Sequence, residues 1–398
     1  MKPVIEQVSI NGTFYGLNKI TGEIIQFNSE KEANEQCALE GSKALKNLVY
    51  KEGEDIAITI ELNSECNLKC IYCYQTDKGT RSEITTEIIE MIVEYISKVY
   101  ERYQFSRLVL RFIGGEPLLS AEKLLLCYRE IMKFCKDKGI DLYTHIDSNG
   151  TMPYNDLLQE IMNLDMVICL SLENDHNVKR YGSFNKIVNN LNSLPYLAPC
   201  PISLRYNVAH DNIHSFETFL MFVRENFPQV KDIETARIDD NACWPNYINQ
   251  LDKSAFAIWN STTAIDLLVK YDFNIMHCMR SKLTRCQGYS KYSCKIYSDG
   301  AITVCDAMYH AQSKLRIDEL VRDTDLLKQR YLYIKDYLPL KDPKCAQCVS
   351  LVQCGGQVFC RDKKAMCDYQ SEYNEKEFIK TYIKHLLNGN AKYFVNIS

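Results

Sequence analysis

The chain has 398 residues, with 47 Lys plus Arg against 51 Asp plus Glu, a net charge of −4 that excludes a bulk nucleic-acid or anionic-membrane binder built on clustered positive charge. With 46% hydrophobic and 25% charged residues it is an ordinary globular chain, long enough for two or three domains rather than a disordered one. No run approaches the roughly 20 apolar residues of a membrane span, and Glu6 interrupts the start before a signal-peptide core can form. A soluble, cytoplasmic protein is expected.

Residues 1–50 read as a short α+β extension. Phe14–Leu17 and Glu23–Phe27 flank Thr21-Gly22 as a hairpin, and a helix is expected from Glu30 to Leu48. From Asp55 strands and helices alternate. Ile56, Ile58, Ile60 and Leu62 mark a strand, and Ile88, Ile92, Tyr95, Ile96 and Val99 mark one face of a helix begun by Thr85-Thr86-Glu87. Leu108–Ile113 is a strand ending in Gly114-Gly115, and a helix capped by Ser120 stops at Gly139. The cycle repeats through strands Leu142–Asp147, Met166–Leu172, Ile202–Val208 and Asp232–Ile238, with helices Tyr154–Leu164, Ser183–Leu194 and Ser215–Glu225 between them. Such βα cycles imply a parallel sheet with its ligand site at the C-terminal strand ends. Periodicity alone does not separate an open sheet from a partly closed barrel. After residue 245 come a helical stretch, Ser254–Tyr271, a cysteine-dense tail from Cys286 to Cys367, and a last amphipathic helix carrying Phe378, Tyr382, Ile383 and Leu386.

Cysteine is the compositional outlier, 18 residues in a chain without an export signal, which points to metal ligation or catalysis before disulfides. Cys66, Cys70 and Cys73 follow the first strand of the alternating region as Cys-x3-Cys-x2-Cys. Three thiolates can hold three corners of a [4Fe–4S] cluster and leave one iron open. A zinc site lacking its fourth ligand is the competing reading. In the tail, Cys286, Cys294 and Cys305 precede Cys345, Cys348, Cys354, Cys360 and Cys367, enough thiols for two fully ligated four-iron clusters, with two zinc knuckles as the alternative. Cys127, Cys135 and Cys169 fall in apolar patterns and are expected to be buried.

The Cys66–Cys73 loop, with Tyr72 before its last cysteine, resembles the signature of the radical S-adenosylmethionine (SAM) superfamily. Four elements follow in family order: Gly114-Gly115-Glu116-Pro117, Ser148-Asn149-Gly150-Thr151, Ser171-Leu172-Glu173 with Glu where Asp is commoner, and Arg180. The tail is similar to the SPASM extension of peptide-modifying radical SAM enzymes. The resemblance implies a partial (β/α)6 TIM-like barrel over residues 51–245 behind the 1–50 extension, a bridging region over 246–285, and a SPASM Fe–S domain with the C-terminal helix over 286–398. It implies that Tyr72, Gly114, Gly115, Glu116, Ser148, Asn149, Ser171 and Arg180 bind SAM. It implies three [4Fe–4S] clusters: one on Cys66, Cys70 and Cys73, one on Cys286, Cys294, Cys305 and Cys360, and one on Cys345, Cys348, Cys354 and Cys367. The gap from Cys354 to Cys360 is five residues where the family usually shows three.

The expected activity is hydrogen-atom abstraction from a ribosomally made precursor peptide or protein, ending in a thioether or carbon–carbon crosslink. A flavodoxin- or ferredoxin-like reductant is the expected partner, with no nucleic acid and no membrane. The 1–50 extension is a candidate for a degenerate leader-recognition element. Two alternatives stay open. One is a sulfatase-maturating, formylglycine-generating enzyme, for which Asp306 beside Cys305 would be the general base. The other is a non-catalytic Fe–S electron carrier or zinc module.

Overall fold

The computed structural model describes residues 5–18, 23–37, 55–73, 75, 83–173, 182–195, 197, 200–238, 250–275, 292–304, 310–327 and 372–394. The chain divides into two compact units that do not follow sequence order. One comprises Met1–Glu52, Leu251–Cys286 and Ile334–Ser398, the other Gly53–Gln250 and Gln287–Tyr333.

The first unit opens with β1 (Ile5–Ile10), β2 (Thr13–Asn18) and β3 (Ile24–Phe27), an antiparallel meander. The β2–β3 pairing is the expected hairpin. Strand β1 adds a second hairpin through Asn11-Gly12, both at positive φ (50° and 81°), a turn that the Asn-Gly dipeptide itself signals. Helix α1, residues 30–37, begins after Ser29. Its Ala33 and Cys37 close a small core with Ile5 and Phe27. The rest of the predicted helix lies outside the described residues.

The second unit carries the barrel. Strands β4 (Asp55–Glu61), β5 (Arg107–Ile113), β6 (Asp141–Ser148), β7 (Val167–Ser171), β8 (Ile202–Val208) and β9 (Asp232–Arg237) pair in parallel in sequence order. Helices α2 (Thr86–Tyr103), α3 (Ala121–Lys138), α4 (Asp156–Met162), α5 (Phe184–Asn192) and α6 (Phe216–Asn226) make the crossovers. This is the expected α/β architecture, a partial TIM-like barrel. Paired positions in parallel strands share a face. Ile58, Leu110 and Ile146 therefore point to the helix layer, while Thr59, Arg111 and His145 point into the lumen. Helix α2 buries Ile89, Ile92, Tyr95, Ile96 and Val99 against that layer, each worth about 1.5–3 kcal/mol of apolar burial. Its cap is Thr85, whose hydroxyl accepts from the Ile88 amide, and its end is Gln104 in the left-handed region.

The sheet also extends beyond the six-strand pattern. Strand β10 (Cys294–Ile296) lies parallel beside β4, and β11 (Ala301–Thr303) and β12 (Leu315–Arg316) continue it antiparallel. Residues read from sequence only as part of a cysteine tail thus complete the barrel edge. Short strands of three and two residues carry too little periodicity to be seen in advance. Helix α9 (Ile317–Arg322) follows and packs on α2.

The first unit resumes with α7 (Lys253–Ser261) and α8 (Thr263–Lys270), one predicted helix broken at Thr262, whose backbone leaves the helical region (φ −127°, ψ −81°). Helix α10 (Glu372–Leu387) packs on α7 and β1. Its His385 Nε2 lies 2.7 Å from Asp266 Oδ1 on α8, and Phe394 bridges to Ile275. Among the described residues no helix is long and apolar enough to cross a membrane.

Candidate active site

The loop after β4 carries Cys66, Cys70 and Cys73, and the turn after β5 presses directly against it. A Cβ on Gly115 would sit 2.0 Å from the Glu65 carbonyl oxygen and 2.9 Å from the Cys66 nitrogen, so only glycine fits. The Gly115 amide donates to the Asn63 carbonyl (3.0 Å) and the Glu116 amide to the Glu65 carbonyl (2.7 Å). The GGE element thus works here as a close backbone approach that sets the cysteine loop.

Glu116 is fully buried, and its carboxylate ties the β5 turn to the end of β6. Oε1 accepts from the Ser148 hydroxyl (2.8 Å) and the Leu118 amide (3.0 Å), and Oε2 accepts from the Asn149 amide (2.7 Å). The Ser148–Thr151 turn reaches back to the loop. Asn149 Nδ2 donates to Asn67 Oδ1 (2.9 Å) and approaches Cys66 Sγ at 3.7 Å, and Asn67 Nδ2 donates to the Thr151 hydroxyl (2.7 Å). The Cys73 amide donates to the Cys70 carbonyl (3.2 Å), closing a turn around Tyr72.

These elements surround one cavity of about 270 Å³. It is lined by Cys66, Cys70, Tyr72, Cys73, Gly114, Gly115, Glu116, Ser148, Asn149 and Ser171, together with Arg111, Asp147, Arg205, Asn207 and Arg237. The structure therefore brings together every described residue expected to hold the first cluster or SAM. Three thiols line the cavity, and among the described lining residues there is no fourth thiol or imidazole. That donor set fits a four-iron cluster with one iron left for an outside ligand better than a closed structural zinc site. Arg180, Cys286, Cys305, Asp306, Cys345, Cys348, Cys354, Cys360 and Cys367 lie outside the described residues.

Cys294 is placed on β10, wholly buried, in register with Ile58 and so on the helix-facing side beside Tyr95. Tyr95, also fully buried, donates its hydroxyl to the Tyr292 carbonyl (2.7 Å). Cys127, Cys135 and Cys169 are buried, as their apolar patterns led one to expect. Burial pushes the Cys127 and Cys135 thiols up to about 12, and burial with the nearby Glu6 charge pushes Cys37 up to about 11.

The floor of the cavity was not anticipated. Arg111 donates through Nε to Asp147 Oδ2 (2.7 Å), and Arg205 Nη1 lies 2.6 Å from Asp147 Oδ1. Arg205 also donates to Glu234 through Nε (3.1 Å) and Nη2 (2.9 Å). His145 Nε2 is 3.1 Å from Asp147 Oδ1, and the ligand atoms of His145, Cys169 and Glu234 lie within 4.8 Å of one another. This charge ladder spans β5, β6, β8 and β9 inside the lumen. Burial works to raise the Asp147 carboxyl, but the His145 hydrogen bond and the Arg111 and Arg205 charges outweigh it and hold the group well below the usual carboxylate range. The available signal was the charges at alternate positions inside otherwise apolar strands, as in Leu-Arg-Phe and Leu-Arg-Tyr.

Residues 60–194 match the radical SAM superfamily, so the barrel carries a radical SAM domain. Among known proteins, a cysteine-type anaerobic sulfatase-maturating enzyme of Clostridium novyi is 28% identical over 149 residues, 33% of this chain and 38% of that enzyme. The matches span about two fifths of the first curated relatives. Two solved structures share the fold. Native anSMEcpe with bound AdoMet and the Cp18Cys peptide has a TM-score of 0.60 at 16% identity, over 85% of this chain and 99% of that one. Streptococcus suis SuiB bound to the precursor peptide SuiA has a TM-score of 0.51 at 18% identity, over 82% and 76%.

Proposed function

We propose that this chain is a radical SAM maturase that takes a hydrogen atom from a residue of a ribosomally made precursor peptide and forms a thioether or carbon–carbon crosslink. The observation carrying this is the single cavity in which the three loop thiols, Tyr72 and the Gly114–Glu116 and Ser148–Thr151 turns converge. Peptide-bound neighbours of the same fold, one with a precursor peptide, support a peptide substrate over a small metabolite.

Cys66, Cys70 and Cys73 would ligate the cluster, and Gly114, Gly115, Ser148, Asn149, Ser171 and Arg180 would hold SAM. When bound, the two together supply a carbon-centred radical able to attack an unactivated C–H bond. The protein's own work is placement and exclusion of water. Gly115 and Glu116 hold the loop at a fixed distance from the strand ends, the Asn67–Asn149–Thr151 bonds keep it from swinging, and the Arg111–Asp147–Arg205 rung closes the lumen beneath. The tail cysteines would hold two auxiliary clusters, and the chemistry these would supply is electron acceptance.

Sulfatase maturation is the second reading, favoured by the similarity to the Clostridium novyi enzyme and by Asp306 beside Cys305. The deciding experiment is anaerobic. Reconstituted protein is incubated with SAM, dithionite and a panel of cysteine-containing precursor peptides, then analysed by mass spectrometry. Deoxyadenosine with a peptide two hydrogens lighter supports the crosslinking reading. Deoxyadenosine with unchanged peptide, together with formylglycine on a sulfatase-derived peptide and loss of that product in Asp306→Asn, replaces it with the second. No deoxyadenosine leaves an electron carrier or zinc module.

A further inference from the structure

Besides the β5 turn, which holds it through the Glu65 carbonyl and the Gln75 side chain (Nε2 to the Gly114 carbonyl, 2.8 Å), the cysteine loop is fastened at two more places. The second uses Glu173, the glutamate standing where the family element more often has aspartate. The loop's first half is held to β6 through Asn67, Asn149 and Thr151. Its second half is held across the mouth of the barrel, where the Tyr72 hydroxyl donates to Glu173 Oε1 at 3.0 Å, a contact 101 residues away in sequence. The same oxygen accepts from Asn207 Nδ2 on β8. Glu173 is fully buried, two residues beyond β7, and its backbone is steadied by the Leu172 amide donating to the Arg205 carbonyl (2.9 Å). Tyr72 lies between Cys70 and Cys73 in the turn closed by the Cys73–Cys70 hydrogen bond, so a bond that anchors its hydroxyl restrains the short backbone segment between the two thiols.

Resting on the radical SAM reading above, we propose that Glu173 is a positioning residue: acting through the Tyr72 hydroxyl, it sets the Cys70–Cys73 half of the loop and with it the affinity for SAM. The length of the side chain matters. Aspartate would fall short by one C–C bond, roughly 1.5 Å, which turns the 3.0 Å contact into none without a shift of β7. A carboxylate shared by two donors makes hydrogen bonds about twice as strong as neutral ones.

The test compares wild type, Tyr72→Phe, Glu173→Asp, Glu173→Gln and the Tyr72→Phe/Glu173→Asp double variant, all anaerobically reconstituted. Iron per chain and thermal unfolding report folding and assembly. Equilibrium dialysis with radiolabelled SAM gives Kd, and electron paramagnetic resonance of the reduced cluster, with and without SAM, reports the loop thiols directly. Each of Tyr72→Phe and Glu173→Asp is expected to keep its iron and weaken SAM binding about tenfold, toward the low end for a hydrogen bond to a charged group. The double variant is expected to be no worse than either single one, because both remove the same contact. Glu173→Gln retains the reach and an accepting oxygen, and is expected to recover most of what Glu173→Asp loses. Unchanged Kd and spectra in both single variants, or losses that multiply in the double variant, overturn the proposal. Wild type that takes up iron yet binds no SAM overturns the radical SAM reading itself.

Discussion

Replacing Gly115 by alanine tests the geometry of the site most severely. The new Cβ would stand 2.0 Å from the Glu65 carbonyl oxygen and 2.3 Å from its carbon, where about 3 Å is the least that real contacts allow. Both obstructing atoms are backbone, so no rotamer change relieves the overlap. The cysteine loop or the β5 turn must retreat by roughly 1 Å, and overpacking of this kind costs about 1–3 kcal/mol or more. The retreat also breaks the 2.7 Å hydrogen bond from the Glu116 amide to that carbonyl, worth about 1 kcal/mol more. The local penalty of some 2–4 kcal/mol falls on the loop rather than on the barrel, whose packing is untouched. The expected result is a folded protein with reduced iron at the first cluster and SAM cleavage lowered about 100-fold, the order that a 1 Å misplacement costs. Iron analysis, circular dichroism and deoxyadenosine assay check it. At Gly114 the nearest obstruction is the Asn63 carbonyl at 3.0 Å, so Gly114→Ala is expected to lose less iron than Gly115→Ala. A Gly115→Ala enzyme with full iron and wild-type turnover would refute the reasoning.

Asp147→Asn leaves Arg111 and Arg205 facing each other with no charge between them, and is expected to destabilise the protein by about 3–5 kcal/mol at pH 7.5 in thermal or denaturant unfolding. Because the folded carboxyl titrates below its unfolded value near 3.9, this stabilisation is complete above about pH 5 and is lost as the pH falls further, so the gap to wild type should narrow below pH 4. Tyr95→Phe removes the bond to the Tyr292 carbonyl at a fully buried site, and a loss of about 1–3 kcal/mol is expected by denaturant melting. Cys127 and Cys135 should resist iodoacetamide at pH 8 in the native protein and react after unfolding, as mass mapping will record, because so little thiolate exists when burial holds each thiol near 12. Cys294→Ala is expected to lose about one cluster's iron if the tail cysteines hold two auxiliary clusters, and unchanged iron per chain would remove Cys294, which lies buried on β10, from that ligand set.

Much of the barrel was legible because its rules are local. The apolar strands, the Thr85 cap and the Gly139 stop each announce themselves within a few residues, and six βα cycles leave a parallel sheet as the natural outcome. The Cys66–Cys73 loop, Gly114–Glu116, Ser148–Asn149 and Ser171 were picked out by their resemblance to a family's elements, and they line one cavity because each sits at a strand end and a parallel sheet gathers its strand ends at one mouth.

What only the tertiary structure decided lies across long separations. That Gly115 is required by the Glu65 backbone, that Tyr72 leans on Glu173, and that Arg111, Asp147, Arg205 and Glu234 form one ladder are facts of strand register, which places side chains from different βα units on a shared face. The same holds for β10, whose three residues join the sheet beside a strand more than 200 positions earlier, and for the unit that unites the first and last segments of the chain. Hydrophobic periodicity specifies which face of an element is buried but not which distant element covers it, and that choice is made only when the whole core packs.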